Sequence, residues 1–283
     1  MNMIETSLKK KILIATPIHT DQLILQYVSS VFQLINNKDS EFEVNVFWRR
    51  GSLVNRARNE LVGYFLESNY DYIFFIDSDI VNFVDAFYKI ATKYIELEKL
   101  FPLLVLGAVY PIKHFNFDYV KNKEQVSYKN WQQVMLNYNV NLKDLGINNE
   151  NVIKDAEENN GIVKAQSIGG GFMMISKQVL NKMIEKFPET EYKNFDNDKF
   201  VANKNYNLFH SFIEPNSQFY LSEDYGFCYH FVQMGGTLLA DISVPLSHYG
   251  EHSYTGSLYE TLQLKSFIES NNQNNDNHEP IVV

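Results

Sequence analysis

Apolar and polar positions change period along the chain in a regular order. Lys11 to Pro17 (KILIATP) is a short apolar run ended by a proline, and the amphipathic stretch Asp21 to Ile35 follows it, which predicts a strand and then a helix. Phe42 to Trp48 alternates apolar and polar residues, and Ser52 to Glu67 places Leu53, Ala57, Leu61, Tyr64 and Phe65 at helical spacing. Tyr72 to Ile76 (YIFFI) is apolar on both faces, as a central strand covered by helices on each side must be. A helix over 84–99 and a buried strand over Leu103 to Val109 continue the series, which implies a parallel sheet with right-handed crossovers in a doubly wound half.

The second half is less regular. Residues 114–160 are rich in Asn, Lys, Glu and Tyr and read as a polar insertion over one face, with a single helix expected near Trp131 to Tyr138. Ala165 to Ile175 (AQSIGGGFMMI) is strand-like around a glycine knot, and Ser176 is placed to cap the helix that follows. Ser222 to Met234 predicts a helix stopped by Gly235 and Gly236, followed by strands at Thr237 to Leu239 and Ile242 to Leu246. The stretch 264–283 has no apolar period and is expected to be a disordered tail, which leaves 1–263 as a single domain.

Composition narrows the function. Hydrophobic residues make up 45% of the 283 and charged residues 21%, enough apolar matter for one full α/β core. The 34 Asp and Glu against 25 Lys and Arg give a net charge of −9, which disfavours a broad face for nucleic acid or an anionic membrane. The longest apolar stretch, Phe101 to Ile112, is broken by Pro102, Gly107 and Pro111 and falls short of the roughly 20 residues a spanning helix needs. Met1 to Lys11 is charged without an apolar stretch, so no secretory signal is expected, and a lone cysteine, Cys228, offers no disulfide. A cytoplasmic protein without an integral membrane segment is the expectation.

Three places could carry chemistry. In FFIDSDI, strand alternation would aim Asp77 and Asp79 to one side and Ser78 to the other, at the carboxyl end of a buried strand, where open α/β sheets bind ligands. Acceptor-only carboxylates there suit a hard divalent cation; the same residues also suit a turn capping the next helix. In LVNRARNEL, Arg56, Arg58 and Asn59 could face phosphate bidentately, or Arg56 could pair with Glu60 one turn on along a solvated helix face. In SEDYGF, Glu223 and Asp224 open a helix: they either oppose its dipole or supply a general base, Asp224 ahead of Glu223. Gly169, Gly170 and Gly171 lack the G-x-G-x-x-G spacing, so a dinucleotide site is disfavoured; they mark a close backbone approach, or a bulge. His19, His114, His210, His230 and His252 have no metal-like spacing, and Cys228 reads as a small core residue.

Taken in order, KILIATP, NRARNEL, FFIDSDI, GAVYPIK, IGGGFMMI, SEDYGFCYHF and LSHYG resemble the nucleotide-sugar glycosyltransferases of the GT-A type over most of residues 11–250. The resemblance implies a Rossmann-like three-layer α/β/α sandwich with a mostly parallel central sheet. It implies Mn²⁺ or Mg²⁺ held by Asp79 and His248, with Asp77 ligating directly or through ribose and water. Thr16 and Pro17 would line the nucleobase pocket, with Arg56, Arg58 and Asn59 near uracil or diphosphate. Lys113 and Ser78 would face the donor, and Gly170 and Gly171 the acceptor. The function implied is an inverting transfer of a hexose from a UDP-sugar to a hydroxyl acceptor, a glycan or a protein-linked sugar. No fingerprint selects the sugar, and the 114–160 segment, expected to hold the acceptor, has no recognisable pattern. Two other classes stay open: a phosphohydrolase with Asp77 as nucleophile, whose motif normally lies on a first strand, and a non-catalytic nucleotide-sugar or glycan-binding scaffold.

Overall fold

The computed structural model describes residues 9–119, 131–142, 149–193 and 202–275. The first half follows the apolar periodicity closely: β1 (Lys10–Ile18), α1 (Leu25–Asn36), β2 (Phe42–Arg50), α2 (Val54–Glu67), β3 (Tyr72–Ile76), a two-residue β4 (Ile80–Val81), α3 (Val84–Leu97) and β5 (Leu104–Ala108). The 114–160 region holds more structure than its composition announces. It contains the end of β6 (Pro111–Phe115), then α4 (Trp131–Val134), β7 (Leu136–Tyr138), β8 (Val140–Asn141) and α5 (Asn149–Glu158), a helix the sequence reading left out. Its buried residues are Val152 and Ala156, one turn apart, too few to reveal a period. There follow β9 (Ile162–Lys164), β10 (Ser167–Ile168), β11 (Phe172–Ser176) and α6 (Lys177–Lys186), capped by the Ser176 hydroxyl accepting from the Val179 N–H. Two small hairpins come next, β12 (Glu191–Tyr192) with β13 (Asn205–Tyr206) and β14 (Phe212–Ile213) with β15 (Tyr220–Leu221). The chain ends with α7 (Glu223–Gln233), β16 (Thr237–Asp241), β17 (Leu246–Tyr249), β18 (Ser253–Gly256) and α8 (Leu258–Asn275).

The central sheet has seven strands in the order β2-β1-β3-β11-β5-β16-β9. β2, β1, β3, β5 and β16 run one way, while β11 and β9 run against them. The protein is therefore α/β with a mixed sheet: β11, arriving from far along the chain, separates β3 from β5, which a βαβ reading makes neighbours. Strand alternation divides the apolar residues between two cores. Ile12, Ile14, Phe74, Ile76 and Met174 face α1 and α3. Leu13, Ala15, Ile73, Phe75, Met173 and Ile175 face α2, α6 and α7. No helix among the described residues is long and apolar enough to cross a membrane.

Two further boundaries differ from the sequence reading. Ile242 to Leu246 is not a strand; pairing resumes only at Leu246, because Ser243 bonds back to the buried Asp241 carboxylate and turns the chain. The stretch from residue 264 to Asn275, expected to be disordered, continues α8, which packs on α4 and α5. Leu258, Thr261, Leu262 and Ile268 are buried on one side of it, and a hydroxyl among them breaks the apolar period that would announce the face. Residues 276–283 of the expected tail lie outside the described residues. Ile268→Ala should lower stability by about 2 to 3 kcal/mol, read as a shifted urea midpoint at unchanged slope; a midpoint equal to wild type would mean that the end of α8 is not docked.

Candidate active site

The site is built around a buried arginine. Arg58, in the second turn of α2, is 2% exposed, and its guanidinium donates in three directions. Nη2 reaches both Asp77 carboxylate oxygens at 2.9 and 3.1 Å, Nη1 reaches the Gly170 carbonyl at 3.0 Å, and Nε faces Glu223 Oε1 at 3.4 Å. The glycines make room for this group: a Cβ on Gly170 would lie 3.1 Å from the Arg58 Cζ, and one on Gly171 would lie 2.7 Å from Asp77 Oδ2 and from the Tyr110 hydroxyl. Gly171 also accepts the Asp77 N–H at 3.0 Å, and its own N–H donates to the Tyr110 hydroxyl at 3.0 Å. The glycine knot thus seats the protein's own polar cluster, which corrects the placing of Gly170 and Gly171 against an acceptor. Arg58, in turn, is committed to carboxylates and is not a free phosphate ligand.

β3 ends at Ile76, so the strand alternation expected to aim Asp77 and Asp79 alike does not reach them. Asp77, Ser78 and Asp79 form a turn closed by the Ile80 N–H on the Asp77 carbonyl at 3.0 Å, and the two carboxylates take different partners. Burial raises the Asp77 pKa, and neighbouring Asp79 and Asp224 add to the rise against the pull of Arg58. Asp79 goes the other way: burial opposes ionisation, but hydrogen bonds and charge from His248 and Lys113 bring it down to about 2. Lys113 Nζ lies 2.6 Å and His248 Nε2 3.4 Å from the same Asp79 oxygen, Oδ2.

His248 arrives there by backbone pairing. β17 runs antiparallel to β4 with His248 opposite Ile80, and the Tyr249 N–H donates to the Asp79 carbonyl at 2.8 Å. The His248 Nδ1 lies 2.9 Å from the Pro111 carbonyl, which only accepts, so Nδ1 carries a hydrogen and Nε2 is the atom presented to Asp79. A backbone carbonyl fixing the far nitrogen of a histidine is the usual way a ligating imidazole is oriented. Asp79 therefore supplies an oxygen donor of the kind Mn²⁺ or Mg²⁺ accepts and His248 an imidazole nitrogen, which suits Mn²⁺ better than the harder Mg²⁺, although no set of three or more His, Cys, Asp or Glu among the described residues forms a closed cation cage. The remaining positions would fall to water or ligand oxygens. Asp77, held on both oxygens by Arg58, is not a direct ligand in this arrangement.

Beside this pair lies a cleft of about 280 Å³ at the carboxyl ends of β1 and β3, lined by Pro17, Ile18, Gly51, Asp77, Ser78 and Asp79. Pro17 and Ser78 lie on this cleft. Thr16 does not: it is fully buried, and its hydroxyl bonds Tyr27 at 2.6 Å. Arg56 pairs with Glu60 at 2.9 Å along the helix, the structural alternative, and Glu60 is also bonded by Arg49. Asn59 is buried and clasps the Phe209 backbone, accepting its N–H and donating to its carbonyl, both at 2.8 Å, so it anchors a loop rather than a nucleotide. Asp224 is buried too, and accepts from Gly170 N at 3.1 Å, from Tyr225 N at 2.8 Å and from the Ser222 hydroxyl. Glu223 is the acid of this pair with room to act, 15% exposed, its pKa raised by burial and by adjacent Asp224. Tyr110 was missed by sequence reasoning; it lies between β5 and β6, buried against Gly171 and the His248 ring, and nothing in its local sequence marks it. A second cavity of about 300 Å³ lies between Phe187, Tyr192 and His230; its lining residue Asn207 accepts from the Asn59 amide at 3.0 Å.

No protein-family model matches the sequence, and no curated protein is significantly similar to it. Among solved structures the chain is similar to the crystal structure of the protein A197 from STIV, with 16% identity and a TM-score of 0.43 over 85% of this chain and 86% of that one. The likeness is too distant to carry a residue role from one to the other.

Removing the guanidinium would leave Asp77, Glu223 and Asp224 facing one another without a cation. Arg58→Met should cost about 3 kcal/mol at neutral pH. Carboxylates whose folded pKa is raised disfavour the fold as the pH rises through that pKa, so the deficit should shrink as the pH falls into the carboxylate range. Urea unfolding of both proteins across that range checks it; a deficit that grows on acidification would contradict the sign.

Proposed function

We propose that the protein is a cation-dependent glycosyltransferase of the GT-A type, a three-layer α/β/α enzyme that transfers a hexose from a UDP-sugar to a hydroxyl acceptor. The observation that carries this reading is the meeting of Asp79 with a histidine from the far end of the chain, oriented by Pro111 and opening on a cleft at the carboxyl ends of parallel strands. The bound cation would neutralise charge on the departing diphosphate. Asp79 and His248 would hold it, Pro17 and Ser78 would line the nucleoside end of the cleft, and Lys113 would face the diphosphate. Asp77 would act through ribose or water, since Arg58 holds its carboxylate. That same hold weakens the phosphohydrolase alternative, in which Asp77 must be free to attack.

The proton of the attacking hydroxyl goes to Glu223 in this reading, a reassignment from Asp224. Asp224 is saturated with three donors, whereas Glu223 has one long contact with Arg58 and a pKa shifted toward the range where a carboxylate accepts a proton usefully. An attacking hydroxyl activated by a base corresponds to the inverting course.

Release of UDP from a panel of UDP-sugars with Mn²⁺ tests the assignment. Turnover should disappear with EDTA, and Asp79→Asn should keep the fold while losing Mn²⁺-dependent UDP binding. UDP affinity indifferent to EDTA, with no release from any donor, would rule the reading out. For the base, Glu223→Gln should lower turnover by about 10² to 10⁴-fold with donor affinity nearly unchanged. Because burial raises the Glu223 pKa, the acid limb of the wild-type pH profile should lie above the ordinary glutamate range and vanish in the variant. A product of retained anomeric configuration would remove the need for this base.

A further inference from the structure

We infer that Lys113 is a resident counter-cation of Asp79, displaced by the divalent ion and handed to the diphosphate, so that cation and nucleotide bind cooperatively. This rests on the reading of the cleft given above and specifies how its two ligands are coupled. The ammonium lies 2.6 Å from Asp79 Oδ2, the oxygen that also faces His248 Nε2 at 3.4 Å. A divalent ion shared by that oxygen and that nitrogen would bring a second cation onto an oxygen already paired with Lys113, and the two positive charges repel. Lys113 is able to leave. Its side chain is 37% exposed, and its stem lies over Gly250, which carries no side chain to pin it.

The other arginines of the motif are not exchangeable in this way. Arg58 is buried against Asp77, and Arg56 is bound to a buried Glu60. A divalent ion arriving alone must therefore break the Lys113 pair and leave an unpaired ammonium. A diphosphate arriving alone would draw Lys113 off and leave Asp79 uncompensated beside the anion. When both arrive, each charge finds a partner, and linkage makes the help reciprocal.

The test is Mn²⁺ binding without turnover, followed by the electron paramagnetic resonance signal of the free ion, with and without saturating UDP, in wild type, Lys113→Met, Lys113→Arg and Asp79→Asn. Wild type should bind Mn²⁺ weakly alone and about tenfold more tightly with UDP. Lys113→Met should bind Mn²⁺ alone about tenfold more tightly than wild type, the order that screened repulsion supports, and should show a UDP enhancement smaller by that same factor, the part due to diphosphate oxygens ligating the ion remaining. Lys113→Arg should behave as wild type, which separates charge from packing. If Lys113→Met matches wild type in both conditions while Asp79→Asn abolishes binding, the coupling is wrong and the cation site stands. If Asp79→Asn binds Mn²⁺ as wild type does, or if no variant binds it at all, the reading of the site fails and the inference with it.

Discussion

A guanidinium with 2% exposure sets the terms for the rest of this structure. An ionised group out of water is tolerable only when its donors are satisfied and its charge is matched, so Arg58 dictates what surrounds it. It needs a carboxylate at the end of β3, a carbonyl from the turn before β11, and an acid at the start of α7, and each is present. The turn can come close only without side chains, hence glycines at 170 and 171. With three segments tied to one group, the sheet end, the glycine turn and the start of α7 are held in one geometry. Burial still leaves Arg58 firmly charged, because Asp77, Glu223 and Asp224 together outweigh desolvation.

Asp77 and Asp79, one residue apart, consequently have opposite electrostatics. Asp77 belongs to the interior: burial and two neighbouring acids raise its pKa, and its partner cannot leave. Asp79 belongs to the rim: its partners hold its pKa at about 2, and one of them is a lysine on a flexible stem. The inner pair fixes geometry, while the outer one is open to solvent, a division that a strand placing both carboxylates side by side would not provide. The turn at Asp77 to Asp79 creates that difference by sending one side chain under the sheet end and the other toward β6 and β17.

Much of this architecture is legible in the sequence, and the failures share a cause. Uninterrupted apolar strands and amphipathic helices declare themselves, so the long elements from β1 to α3 follow from periodicity, with most ends within two residues and the start of α1 four residues later than read, while the two-residue β4 gives no signal. The insertion of β11 between β3 and β5 does not, because YIFFI and FMMIS look the same whether their neighbour runs parallel or antiparallel. Alternation predicts the directions of Asp77 and Asp79 only while the strand continues, and nothing local marks its end at Ile76. The Arg56–Glu60 pair is legible because it spans one helical turn; the Arg58–Glu223 contact spans 165 residues and is not. Choosing between Glu223 and Asp224 needs the helix's rotation, since neighbours on a helix diverge by about 100°. Only tertiary packing sets that rotation.

The candidate cation site carries the longest of these dependences. Asp79 follows the central strand, Lys113 lies on β6, and His248 lies on β17 and is oriented by the carbonyl of Pro111, where β6 begins. β17 reaches Asp79 through pairing with a strand only two residues long, supported on its other side by β18. Such a short ladder has little stability of its own. It persists because Ile80 and Val81 are buried under α1 and α3 while Leu246 enters the same core. The imidazole therefore comes to Asp79 only after the core on that face has closed. The meeting of Asp79 with His248 is in this sense a property of the completed fold, and no fragment carrying the Asp-Ser-Asp turn alone would reproduce it.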